Sequence, residues 1–325
     1  MRVLVTGATG FLGGAVSAHL AATGYDVLAI GRNELRLDAL RKQGINCAEI
    51  DLASPTNASI DRIGRADAFI HCAALSAPWG RHSAFHRANI LGTENALKIA
   101  ETSGVQRFIN ISSPTIYFDF CDQENVTETH PLPKPVNAYA ATKAEAERRV
   151  LAHQTVHPIN LRPRGIYGAN DTALLPRLLA AAKRGPLPSL HGGNAAIDLT
   201  HVSDVVSAIE AALVAGPEVE GHSFNISSGE QTLVRDIVEL AAARADVSVT
   251  WRSVPLCPAL AVARISDAVS KLHPNGSEPR ITPYALGLFA YRQSLNIDKA
   301  KHQLDWSPRV PFSKGLELTF AGKTR

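Results

Sequence analysis

The chain has 325 residues, 45% of them hydrophobic and 19% charged, with a formal net charge of +3. This suits a globular protein of one large domain or two moderate ones, built around a buried core. No block of like charge occurs, which argues against nucleic acid or an anionic membrane as a partner, and no apolar run reaches the roughly 20 residues of a membrane span. The first strand follows the initiating residues directly, with no signal peptide before it, so a cytoplasmic protein is expected. VLVT (3–6) is a short apolar strand ending in glycines, and GGAVSAHLAATG (13–24) is a helix closed by Gly24. DVLAIG (26–31) is the second strand, followed by the charged helix NELRLDALRKQG. CAEIDL (47–52) and DAFIHCAA (67–74) are the third and fourth, and a long helix covers 84–104. RFINISS (107–113) is the fifth strand, an alanine-rich helix holds NAYAATKAEAERR (137–149), and PINLRP (158–163) is the sixth strand.

Strands apolar along their whole length, alternating with helices, predict a parallel sheet covered on both faces, and right-handed crossovers make it an α/β doubly wound, Rossmann-type sheet. After residue 163 the character changes. A helix flanked by Gly/Pro-rich connections comes first. IDLTHVSDVVSAIEAALV (197–214) resumes the strand–helix pattern, SFNIS (223–227) is a further strand, and helices between Pro-rich segments follow. Residues 1–163 with 196–227 are expected to form the dinucleotide-binding domain. Residues 164–195 with 228–325 are expected to form a smaller, discontinuous α/β substrate-binding domain.

TGATGFLGG places Gly7, Gly10 and Gly13 between the first strand and the first helix. Glycines permit a tight turn and close approach of the backbone to a pyrophosphate, which the helix N-terminus then attracts. The spacing is G-x-x-G-x-x-G rather than G-x-G-x-x-G, in the strand–turn–helix context the motif requires. An acid at the end of the second strand would bind the ribose of NAD; here Gly31 stands in that place, followed by Arg32. Without a carboxylate to repel it, a 2′-phosphate can pair with Arg32. NADP(H) is therefore expected over NAD(H), with NAD(H) a possible alternative.

Tyr139 and Lys143 are four residues apart and share a helix face. A free phenol has a pKa near 10, and a neighbouring cation favours the phenolate. Ser113, at the C-terminal end of the fifth strand, can hold a substrate oxygen beside that phenol. A Tyr/Lys pair by itself is also ordinary helix surface, so other segments must decide. The four cysteines, Cys47, Cys72, Cys121 and Cys257, form no C-x-x-C pair and predict neither disulfides nor a metal site. His82 and His86 share helical spacing but lack a third ligand, and a solvated face is expected there.

On several segments taken in order, the chain resembles the extended short-chain dehydrogenase/reductase family, of the NAD(P)-dependent epimerase/dehydratase type. Besides TGATGFLGG they are DL (51–52), IHCAA (70–74), NILGTEN (89–95), ISSPTIY (111–117), YAATK (139–143), LRPRGIYG (161–168) and THVSDV (200–205). The resemblance implies Ser113, Tyr139 and Lys143 as the catalytic set: Tyr139 as acid/base, Lys143 lowering its pKa and holding the nicotinamide ribose, Ser113 orienting the substrate. Asn89 is expected to help hold the lysine through the chain or a water. The implied cofactor site comprises Gly7, Thr9, Gly10, Phe11, Leu12, Arg32, Asp51, Leu52, Ala73, Ala74, Asn89, Tyr139, Lys143, Pro163 and Gly165. A homodimer through helices of the cofactor domain also follows from the resemblance.

Within that family, Pro114 and Thr115 stand where dehydratases that resemble this chain carry Asp-Glu. Gly165 replaces an asparagine common in nucleotide-sugar enzymes, and Ile197 replaces a diphosphate-binding arginine, although Arg164 or Arg177 could substitute. IDLTHV and ITPYALG look more like the 3β-hydroxysteroid/sterol dehydrogenase branch. Ser76, Trp79, Thr115 and Tyr167, with Phe118 and Phe120, are expected to line a fairly apolar substrate pocket. The expected activity is NADP(H)-dependent interconversion of a secondary alcohol and a ketone on a steroid-like or β-hydroxy/β-keto acyl small molecule. A nucleotide-sugar 4-epimerase and a non-catalytic NAD(P)-binding redox sensor are the alternatives, and the intact Ser–Tyr–Lys set speaks against the sensor.

Overall fold

A computed structural model describes residues 1–273 and 277–321; part of the Pro-rich stretch LHPNGSEPRITP lies outside them. In chain order the strands are β1 (Arg2–Thr6), β2 (Asp26–Gly31), β3 (Asn46–Glu49), β4 (Ala68–His71), β5 (Arg107–Ile111), β6 (Gln123–Val126), β7 (Pro158–Pro163), β8 (Ile166–Tyr167), β9 (Leu187–Ser189) and β10 (Ala196–Asp198). β11 (Thr200–His201), β12 (Ser223–Ile226), β13 (Gln231–Leu233), β14 (Trp251–Ser253) and β15 (Gln293–Leu295) complete them. The helices are α1 (Phe11–Ala22), α2 (Glu34–Arg41), α3 (Asn57–Asp61), α4 (His82–Phe85), α5 (Gly92–Thr102), α6 (Ala138–Ala152) and α7 (Leu175–Arg184). α8 (Val202–Val214), α9 (Val234–Arg244), α10 (Leu256–Leu272), α11 (Pro283–Ala290), α12 (Asp298–Gln303) and α13 (Phe312–Phe320) follow.

The main sheet has seven strands in the order β12-β7-β5-β4-β1-β2-β3, all parallel. Alternation along each strand explains why both faces are apolar. Val3, Val5, Ala29, Ile70 and Ile109 pack with Val16 and Leu20 of α1 and Val205 and Ile209 of α8. Leu4, Ile30, Phe69 and Phe108 point the other way, against Ala96, Leu97 and Ala100 of α5 and Val150 of α6. Chain order reverses between β1 and β4, which opens a crevice at the C-terminal strand ends.

The expected fourth strand is shorter than its apolar run, ending at His71. A Cβ on Gly7 would lie 2.7 Å from Ala73 N, so the turn after β1 fills the space beside residues 72–73. The long helix expected at 84–104 is three pieces: α4, a π-helical turn at His86–Leu91, and α5. A second sheet orders β13-β10-β15-β6. Two of its strands, Gln123–Val126 and Ala196–Asp198, come from inside the expected cofactor domain. QENV, short and polar, carries no strand signal of its own.

Beneath α6 lies a buried polar network. Arg162 on β7 donates through Nε to Glu147 Oε2 at 3.0 Å and through Nη2 to Oε1. Both side chains are about 6% exposed. Ser223 of β12 donates to the same carboxylate at 3.2 Å. Tyr117 accepts from Arg162 and donates to Asn225 Oδ1 at 3.0 Å. One helix, two sheet strands and the segment after β5 are thus pinned at one point. Removing one member of a buried pair strands the other charge, which costs about 3–5 kcal/mol. Glu147→Gln should lower the unfolding free energy by about 3 kcal/mol, and Glu147→Gln/Arg162→Met should recover part of that loss, both read by urea denaturation. Two single losses that simply add in the double variant would refute the coupling.

Candidate active site

The glycine turn is built around its own backbone. Gly7 has φ +68°, in the left-handed region, and a Cβ on Gly13 would come within 2.3 Å of Gly7 O. Gly10 N donates to Gly7 O at 2.8 Å, and Gly10 precedes α1 without a side-chain cap. The first-turn N–H groups of α1 are therefore left for a ligand such as a pyrophosphate. A cradle in which Cβ atoms have no room fits a dinucleotide laid close to the main chain. Thr9, Phe11 and Leu12 border it half-buried, whereas Leu52 is buried in the core with its carbonyl accepting from Asn95.

At the end of β2 a Cβ on Gly31 would meet Thr9 Cγ2 at 2.5 Å, so the place of the ribose-binding acid is filled by the threonine. Arg32 is exposed, its Nη1 3.9 Å from Asp51 Oδ1, while Arg87 Nη2 lies 3.6 Å from Asp51 Oδ2. Arg36, which the sequence reading passed over, donates from Nη1 to Thr9 O at 2.8 Å. Its spacing of four from Arg32, in the first turn of α2, is the signal that could have found it.

Asn89 sits in the π-helical turn and is 1% exposed. Its Oδ1 accepts from Leu75 N at 2.7 Å, and its Nδ2 donates to Leu75 O at 3.3 Å and to Thr142 Oγ1 at 3.0 Å. These bonds hold the loop after β4 and, at Thr142, the residue next to Lys143. That loop carries Ala73 and Ala74, then Ser76 and Trp79. His71 bridges Thr6 and Thr93 through its two ring nitrogens, and burial, then Lys143, pushes it down to about 3. Burial pushes the Cys72 thiol up to about 12.

Asn137 caps α6 by accepting from Ala140 N at 2.8 Å, which sets the turn holding Tyr139. Burial raises the Tyr139 phenol above its ordinary value, and the nearby hydroxyls of Ser113 and Ser76 pull it back. Lys143, expected to lower the Tyr139 phenol and to hold the nicotinamide ribose, is bonded to the sheet. Its Nζ donates to Ile111 O at 2.6 Å, and its own charged form is disfavoured by burial, to about 8. With its ammonium bound to a carbonyl of β5, the lysine acts on His71 and Cys72, while the serines act on the phenol.

Ser113 donates to Thr115 Oγ1 at 3.0 Å, and Thr115 Oγ1 meets the Tyr284 hydroxyl at 3.2 Å. Tyr284, from α11, is a site residue the sequence reading missed; no motif marks it. Trp79 donates to Asp267 Oδ1 on α10 at 2.8 Å, joining the loop after β4 to the C-terminal half. Tyr167 is not in the cleft. It is 1% exposed, its ring lies against His201 and Phe312, and its hydroxyl donates to Phe312 O. Phe118 is buried among Phe120, Tyr284 and Tyr291. Pro163 closes β7 and is buried, and a Cβ on Gly165 would come within 2.4 Å of Leu199 Cδ2. Arg164 Nε pairs with Asp198 at 3.0 Å. Among the described residues no cluster of His, Cys, Asp and Glu could hold a metal, and no helix is long and apolar enough to cross a membrane.

Residues 3–227 match the model of the NAD dependent epimerase/dehydratase family. A "4-hydroxy-2-methyl-3-oxo-4-farnesyl-3,4-dihydroquinoline-1-oxide ketoreductase" of Stigmatella aurantiaca is 32% identical, covering 98% of this chain and 95% of that protein. The "sterol-4-alpha-carboxylate 3-dehydrogenase, decarboxylating" of Saccharomyces cerevisiae is 30% identical, over 98% and 97%. A solved UDP-glucuronic acid 4-epimerase from Bacillus cereus in complex with NAD superposes with a TM-score of 0.76 at 22% identity, covering 99% of this chain and 96% of that one; it shares the fold.

The buried lysine has a consequence for stability. Its folded-state pKa, about 8, lies below the ordinary 10.5, so between these values the unfolded chain holds more protons and stability rises with pH. Below the lower value both states are protonated and the penalty is complete. In cofactor-free protein, the stability advantage of Lys143→Met over wild type should therefore shrink as pH rises through this window. A difference that stays flat from pH 8 to 10.5 in urea titrations would show that the lysine is not depressed.

Proposed function

This chain belongs to the NAD dependent epimerase/dehydratase family, and we propose that within it the protein is an NADP(H)-dependent oxidoreductase interconverting a secondary alcohol and a ketone on a fairly apolar, steroid-like or β-hydroxy/β-oxo acyl substrate. The observation that carries the reading is the Tyr139 phenol, half-buried at the C-terminal edge of a parallel sheet with the hydroxyls of Ser113 and Ser76 near enough to lower it. The two relatives support the reaction class, one being named a ketoreductase and the other a 3-dehydrogenase.

The turn from Gly7 to Leu12 would hold the pyrophosphate. Arg32 and Arg36 would meet the 2′-phosphate, and Tyr139 and Lys143 the nicotinamide ribose. Bound, the cofactor supplies the acceptor or donor of a hydride. The protein's own part is the proton. Burial keeps Tyr139 protonated near neutral pH, the form that donates to an oxygen becoming an alkoxide. Ser113 holds the same oxygen, and Ser76 supports the phenol. Trp79 and Phe120 lend the cleft its apolar character. A homodimer through the helices of the cofactor half and a cytoplasmic location belong to the same reading.

A nucleotide-sugar 4-epimerase would need groups for a diphosphate. At the two positions concerned, Leu199 occupies the space beside Gly165, and Ile197 is 8% exposed in the apolar core. A cofactor-absorbance screen should show NADPH consumed with steroid ketones or β-oxo acyl compounds; response to nucleotide sugars alone overturns the reading. Tyr139→Phe should lower kcat by about 10²- to 10⁴-fold while NADPH still binds. Arg32→Ala should weaken NADPH about 10- to 100-fold, with little change for NADH. Equal losses for both cofactors in a fluorescence titration would reject the phosphate assignment.

A further inference from the structure

The hydroxyls at the site do not stop at the catalytic set. Thr115 stands between Ser113 and Tyr284, at 3.0 and 3.2 Å. Tyr284 is fixed there by several constraints. Thr282 caps α11 by accepting from Ala285 N at 3.1 Å, with Pro283 in the first turn. Gly287 lets the helix lie against Phe118, since a Cβ there would be 2.4 Å from Phe118 Cζ. The Tyr284 ring meets Phe118 edge-on, with centroids 5.5 Å apart. Tyr284 is held firmly yet is only half-buried, with its hydroxyl beside Thr115.

We propose that Tyr284 is a substrate-binding residue whose phenol takes a second oxygen of the substrate, in 1,3 relation to the reacting carbinol or ketone oxygen. The inference rests on the oxidoreductase reading above. On substrate binding the Ser113 hydroxyl, which otherwise donates to Thr115, turns to the substrate oxygen; the bond between Thr115 and Tyr284 can run either way, and with Thr115 as its donor the phenolic O–H is free for a second oxygen. The outer hydroxyls stand no further apart than these two hydrogen bonds laid end to end. An oxygen at Ser113 and Tyr139 and another two bonds along the carbon chain can each accept a bond of about 2.8 Å from such a pair. Burial raises the Tyr284 phenol above its ordinary value, with Thr115 and then Arg164 pulling it back, so the phenol stays protonated and able to donate. The ligand class is a β-hydroxy or β-oxo acid, or its thioester.

The test compares a 3-oxo acid, its thioester and the plain ketone of equal chain length, each with NADPH. Wild type should reduce a 1,3-dioxygenated compound more efficiently than the ketone. Tyr284→Phe keeps the ring on Phe118 and should lower kcat/KM for the acid or the thioester about 10-fold or more, mainly through KM. The plain ketone should change less than about 3-fold, and NADPH affinity should not move. A loss confined to the acid identifies a carboxylate as the second oxygen; a loss with the thioester identifies an acyl carbonyl. Equal loss on all three compounds, or none, overturns the assignment. A wild-type enzyme that reduces none of them overturns the oxidoreductase reading as well, a pattern no Tyr284 result can mimic.

Discussion

The ion pair between Arg162 and Glu147 fixes the helix on which the proposed chemistry sits. α6 carries Tyr139 and Lys143 in its first turns and Glu147 one turn further on, so a helix fixed at Glu147 presents its beginning at a set height above the sheet. The network is not an inexpensive way to hold a helix, because an apolar replacement of equal volume is often as stable. What it adds is direction: the carboxylate accepts from β7 and β12 at once, and the arginine reaches the segment after β5 through Tyr117. Strand order brings β5 and β7 side by side, so Ser113 and the Tyr–Lys helix rest on neighbouring strands.

The same anchoring accounts for the lysine. Lys143 lies deep enough that burial disfavours its charge, and a carbonyl of β5 is the acceptor within reach. The phenol, further toward the cleft, is tuned by the serines. In the sequence the two residues look like a pair because they share a helix face. In three dimensions the sheet beneath them gives one a carbonyl and the other hydroxyls.

The parallel sheet was legible because its strands are apolar on both faces, a pattern few other arrangements produce. Ser113, Tyr139 and the glycine turn were legible because their local context, strand end or helix start, is itself written in the sequence. Gln123–Val126 was not, since a short polar strand exists only by virtue of its neighbours. Tyr284 was not, because its meaning comes from a threonine 169 residues away. Tyr167 misled for the opposite reason: beside a motif in sequence, it turns into the core. Two missing polar groups proved more telling than they looked. Thr9 and Leu199 occupy the spaces at Gly31 and Gly165, so these positions are closed by packing.

The π-helical turn ahead of α5 has a consequence for how this site could be lost. Such a turn is an α-helix with one residue too many in its ring, and the flanking pieces are ordinary helix. Deleting a single residue between 86 and 88 would let the segment relax into continuous α-helix with its two flanks still in phase, because the widened turn alone held the extra residue. What would change is the wide turn itself, from which Asn89 reaches Leu75 and Thr142, so the loop that carries Ser76 and Trp79 would be unfastened. A chain altered in that way would keep the glycine turn while the loop after β4 lost its fastening, so the two halves of the proposed site can be separated by one deletion.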